Sequence, residues 1–134
     1  MTRIQTIERL TKDLALGLLI NAVATVLLVH IFYSKISAGF DGKQAVTLIS
    51  VLSILWVLFL SVCSLTVFLN LYAAVRSNKF YILLTYYLLP VIAAVIALSI
   101  EDSEATPLIL VVTIPFFITQ SYFCVRFIKA LEKP

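Results

Sequence analysis

The sequence predicts an all-α integral membrane protein: four transmembrane helices in an up-and-down antiparallel bundle, preceded by a short amphipathic N-terminal helix. Three observations carry this prediction. Of the 134 residues, 62% are hydrophobic and only 13% are charged, whereas soluble domains carry about 25% charged residues. The stretch Ala45–Val75 contains no charged side chain, and about 20 apolar residues suffice to cross a bilayer core about 30 Å thick. Three more apolar segments of similar character follow or precede it, separated by short polar connections. Residues 1–134 thus form a single membrane domain with no linker or internal repeat.

Residues 2–13 are amphipathic. Ile4, Ile7, Leu10 and Leu14 recur at helical spacing, with Arg3, Glu8, Arg9, Lys12 and Asp13 around them. Glu8 with Lys12 and Arg9 with Asp13 form i,i+4 pairs. The expectation is an interfacial helix lying on the headgroups and leading into the first span. That span covers residues 14–33. Its apolar run exceeds that of a signal peptide, and no clean Ala-x-Ala site follows, so it reads as a retained helix. Gly17, Asn21 and Thr25 repeat every four residues and make a packing stripe, and Asn21 in lipid needs a partner from another helix. His30, the single histidine, falls near the far end of this span. It reads as an interfacial residue; a pH-sensing or ligand-binding role is the alternative.

Residues 34–44 form the longest connection, marked as loop by two glycines. The second span covers residues 45–75. At about 100° per residue, Thr47, Ser50, Ser53, Ser61 and Ser64 fall on one side of it and Cys63, Thr66 and Asn70 on the opposite side. Small and hydroxylated residues let helices approach closely in lipid, so two such faces suggest a helix packed on both sides. The tight Arg76–Lys79 turn returns the chain into the third span, residues 80–100, where Pro90 frees the carbonyl of Tyr86 and should kink the helix. The connection after it carries Glu101, Asp102 and Glu104 without a base, which suits either a solvated turn or an outer contact for a basic partner. Thr106-Pro107 is a helix-start signal for the fourth span, residues 107–127. Pro115 lies inside that span, Gln120 is expected to face the interior, and Arg126 with Lys129 should snorkel to the headgroups.

All lysines and arginines except Lys35 and Lys43 fall in the N-terminal segment, the 76–79 turn and the C-terminal segment. The positive-inside rule then places both termini in the cytoplasm, in the cytoplasmic membrane, with loops 34–44 and 101–106 outside. The net charge of +3 fits an anionic lipid surface, and no basic groove interleaved with exposed aromatics points to nucleic acid.

Little in the chain announces chemistry. Three glycines cannot make a phosphate loop, and no nucleophile stands near a base. Cys63 and Cys124 both fall inside spans and, with one histidine, make no zinc set or disulfide; no cofactor or metal is expected. No acid falls within the predicted spans, which separates the chain from small multidrug-resistance carriers, matched in span number only.

The expectation is a non-enzymatic protein that binds another membrane protein through helix faces or outer loops, as an accessory subunit or an immunity protein against a membrane-inserting toxin. In size and four-span layout the chain resembles small four-span bacterial immunity proteins, a resemblance of outline to which no residue is attached. The alternative is a homo-oligomeric channel or carrier lined by the serine stripe of the second span. A third reading is a lipid- or quinone-binding membrane enzyme using Tyr86, Tyr87, Gln120 and Arg126. The candidate contact residues are Gly17, Asn21, Thr25, Ser50, Ser53, Ser61, Ser64, Asn70 and Gln120, with Glu101, Asp102 and Glu104 in the outer loop. If recognition lies in the membrane, Ser61→Leu or Ser64→Leu should abolish partner binding without blocking insertion.

Overall fold

The computed structural model describes residues 2–33, 40–100 and 106–132, and every element among them is helical. The elements are α1 (Arg3–Phe32), α2 (Phe40–Cys63), a 3₁₀ helix (Ser64–Leu71), α3 (Ala73–Arg76), α4 (Lys79–Ile100) and α5 (Thr106–Leu131). Four helical stretches are long and apolar enough to cross a membrane: Arg3–Phe32, Gly42–Leu71, Lys79–Ile100 and Thr106–Leu131. Their outward faces carry Leu19, Val23, Leu55, Phe59, Val95 and Ile118, all exposed. Water would penalise such surfaces, whereas acyl chains solvate them.

α1 opens with a capping box. Thr2 Oγ1 accepts from the Gln5 amide at 3.3 Å, and Gln5 Oε1 accepts from the Thr2 amide at 3.0 Å. From there the helix runs without a break, so the amphipathic segment and the first span are one continuous helix. The buried face explains the continuity. Thr6, Leu10, Asp13, Gly17, Asn21, Thr25 and Val29 recur every three or four residues and form one stripe. Ile4 and Ile7, the apolar residues expected to dip into the headgroups, are exposed, at 77% and 40%.

The second span departs further from expectation. α2 begins at Phe40, earlier than predicted, and after Cys63 the helix tightens into a 3₁₀ helix of eight residues. Runs beyond three or four residues are uncommon, because 3₁₀ hydrogen bonds are poorly aligned. Contacts with α4 offset that cost here. Thr66 Oγ1 donates to the Thr85 carbonyl at 2.6 Å, and Asn70 Nδ2 donates to Thr85 Oγ1 at 2.7 Å and to the Val67 carbonyl at 2.8 Å. Three residues per turn also change the faces: Ser64, Val67 and Asn70 stack above one another and are all buried. The helical-wheel reading that set Ser64 and Asn70 on opposite sides fails for this reason. Tyr72 is extended, and α3 adds one turn before α4.

α1 packs against α2 and α5, α4 against the 3₁₀ helix and α5. Two side-chain contacts gather one set of ends. Arg76 Nη1 donates to Thr6 Oγ1 at 3.2 Å, and Lys79 is paired with Glu132. This second pair is exposed, and the Lys79 hydrogen bond holds the Glu132 carboxyl below its ordinary range. The apolar core falls into two groups. Leu10, Val67, Ile82, Tyr86, Phe123 and Phe127 pack near those ends, and Val29, Val46, Val57 and Val112 pack towards the other.

Candidate functional site

Between the two apolar groups runs a seam of polar side chains, and α1 and α5 supply most of it. Their approach depends on Gly17. A Cβ there would lie 3.3 Å from Cε2 of Phe123 and 3.9 Å from Cγ2 of Thr119, so the first contact is already tighter than van der Waals spacing. One turn on, Thr119 Oγ1 lies 3.1 Å from Asn21 Oδ1 and 2.9 Å from the Pro115 carbonyl. Asn21 therefore finds the interhelical partner expected of it, on α5. Thr25 is buried one turn further, its hydroxyl without a hydrogen-bond partner among the described residues.

Gln120 is buried and faces inward. Its Nε2 donates to the Tyr86 carbonyl at 3.3 Å. This is the carbonyl that Pro90 cannot serve, because proline has no N–H to return to residue i−4. Gln120 on one proline-containing helix thus supplies the donor missing from the other. Gln120→Leu should destabilise the fold by about 1 kcal/mol. In a Pro90→Ala background, which restores the helical donor, the same change should cost clearly less. Reversible unfolding in mixed detergent micelles measures both; equal costs in the two backgrounds would sink this account.

Three serines of the stripe bond to their own helix, and the Ser53 hydroxyl is buried without a hydrogen-bond partner among the described residues. Ser50 donates to the Val46 carbonyl at 2.8 Å, Ser61 to Val57 at 2.8 Å and Ser64 to Leu60 at 3.0 Å. Ser50, Ser53 and Ser64 are buried against neighbouring helices, and Ser61 is half-buried. Ser64→Leu would therefore strike the packed interior and cannot report on a partner alone. Trp56 joins α2 to α5 through a 3.0 Å hydrogen bond from Nε1 to Thr113 Oγ1. His30 is exposed, with Nδ1 2.8 Å from the Val26 carbonyl. Glu101, Asp102 and Glu104 lie outside the described residues. No three His, Cys, Asp or Glu side chains gather into a possible metal site among the described residues.

Sequence reasoning missed the ionic end of the seam. Asp13 is 5% exposed, and its Oδ1 lies 3.6 Å from Nη1 of Arg126, a half-exposed side chain. Asp13 Oδ2, Arg9 Nε and the Tyr86 hydroxyl are buried without hydrogen-bond partners among the described residues. The signal was present: Asp13 stands four residues before Gly17 and eight before Asn21, in register with the packing stripe. Asp13, Tyr86 and Gln120 also line an internal cavity of about 10 Å³, room for about one water. That is too small for any substrate.

Of the open grooves at the surface, two combine polar and apolar side chains from the spans. One, of about 350 Å³, runs between α4 and α5 beside their proline turns, lined by Ala94, Leu98, Ile114, Phe117 and Ser121. At its edge the Tyr87 hydroxyl donates to Ser121 Oγ at 2.7 Å, and Ser121 donates to the Phe117 carbonyl at 2.8 Å. The Tyr87 ring stacks on Phe117 with centroids 6.4 Å apart. The other, of about 750 Å³, lies between the start of α1 and the end of α5, lined by Arg9, Tyr122, Val125, Arg126 and Lys129. In comparisons with protein-family models, curated proteins and solved structures, the chain matches none.

Proposed function

We propose that the chain is a non-enzymatic protein of the cytoplasmic membrane, four helices up and down with both termini cytoplasmic, that works by lateral association with another membrane protein, as an accessory subunit does. The observation that carries this reading is the Tyr87–Ser121 hydroxyl pair on the exposed α4–α5 groove. The other exposed span polar groups, such as Thr47 and Ser99, bond back to their own helices, whereas this pair joins two helices across an open groove. Hydroxyls and small residues at a lipid-facing groove are what a second helix uses to pack closely.

The occupant is one apolar transmembrane helix of a different protein. Two copies meeting groove to groove would leave both grooves unfilled. The outward faces of α1 and α2 that a second copy would offer instead, with Leu19, Val23, Leu55 and Phe59, are bulky. The inward serines leave no polar lining for a channel between copies.

A photo-cross-linker at Leu98, on the groove wall, tests this in native membranes. The expected adduct joins the chain to one foreign membrane protein. Ser121→Leu, an exposed change that removes the hydroxyl pair, should cut its yield about tenfold. An adduct of twice the chain's mass would replace this reading with self-association.

A further inference from the structure

The end where α1 begins and α5 finishes is the most basic part of the molecule. Arg9, Arg126 and Lys129 line one groove there. The acids nearby do not balance them: Asp13 answers Arg126, Glu8 is paired with Lys12, and Glu132 with Lys79. Arg9 is half-buried at the edge of this groove.

Depth adds a second argument. The apolar part of α5, from Pro107 to Val125, rises about 28 Å at about 1.5 Å per residue, which is nearly the thickness of the hydrocarbon core. Arg126 and Lys129 therefore stand at headgroup level. Arg9 lies just over one turn before Leu14, where the apolar part of α1 starts, and reaches the same level. Above these cations the groove continues along Tyr122 and Val125, which are 63% and 51% exposed. Cations at the headgroup plane with an apolar track running into the core match an anionic phospholipid at both of its ends.

We propose that this groove binds an anionic phospholipid of the cytoplasmic leaflet. Arg9, Arg126 and Lys129 hold its phosphate, and Tyr122 and Val125 flank an acyl chain. The guanidinium groups donate to phosphate oxygens, with Lys129 adding charge at the rim. The proposal rests on the cations of the basic groove, which meets the α4–α5 groove at Ser121, and the charge variants below leave Ser121 in place.

The test uses the full chain in phosphatidylcholine nanodiscs containing a minor fraction of phosphatidylglycerol. Native mass spectrometry after release counts the lipid retained. The wild type should retain phosphatidylglycerol in preference to phosphatidylcholine. Lys129→Gln, an exposed change that the fold tolerates, should weaken retention about fivefold, and Arg9→Gln/Lys129→Gln about thirtyfold. Arg3→Gln/Lys12→Gln removes the same charge outside the groove and should leave retention within about twofold of wild type. Equal loss in the two double variants would reduce the effect to general surface charge and overturn the site. Retention of phosphatidylcholine as strong as that of phosphatidylglycerol, or no loss in Lys129→Gln, would overturn it as well.

Discussion

Gly17→Leu should destabilise the protein by about 3 kcal/mol, the upper part of the range for overfilling a packed interior. The glycine faces the ring of Phe123, and even a methyl group would come within 3.3 Å of it. Phe123 is itself buried, at 4% exposure, with Tyr122 edge-on beside it at 5.4 Å, so its room to retreat is small. A leucine must therefore push α1 and α5 apart. That displacement also opens the Thr119–Asn21 hydrogen bond one turn away and leaves Asn21, 3% exposed, without its partner. Gly17→Ala asks only a few tenths of an ångström of Phe123 and should cost about 1 kcal/mol. Unfolding in mixed micelles, with insertion checked separately, measures both. A Gly17→Leu protein as stable as the wild type would mean that α1 and α5 do not meet here.

The second large effect is an asymmetry. Arg126→Met should destabilise by about 3 kcal/mol, whereas Asp13→Asn should cost about 1 kcal/mol. The two residues share one contact at 3.6 Å but differ in what each becomes alone. Asp13 is buried, so losing Arg126 leaves a carboxylate desolvated, with Arg9 as the nearest remaining cation. Arg126 is 45% exposed, so losing Asp13 frees it to turn to water or headgroups. The double variant should be more stable than Arg126→Met alone, because removing both charges ends the burial penalty. Equal single effects would show that the pair is solvated and contributes little.

Much of the architecture was legible because its cause is local. Apolar length and proline positions are properties of a segment and its flanks, and lipid acts on each segment separately. Four spans followed from that. So did Asn21's need for a partner helix and the unserved Tyr86 carbonyl, since a polar group in hydrocarbon must be answered whichever helix answers it. Which helix supplies the answer is not local. Thr119 answers Asn21, Gln120 answers Tyr86, and Thr85 answers both Thr66 and Asn70.

The sequence alone therefore determined that this chain lives in a membrane, how many times its apolar segments are long enough to cross, and which polar groups need partners there. Tertiary structure decided the rest. It turned the end of the second span from α to 3₁₀, because bonds to Thr85 outweigh the poorer geometry of the tighter helix, and that rotation stacked Ser64 and Asn70 on one face. It set Asp13 in the packed stripe of α1, because Arg126 from the far end of the chain comes within 3.6 Å of it. A helical wheel assumes one turn angle and no neighbours. Both departures arise where a neighbour supplies more free energy than the wheel's regularity.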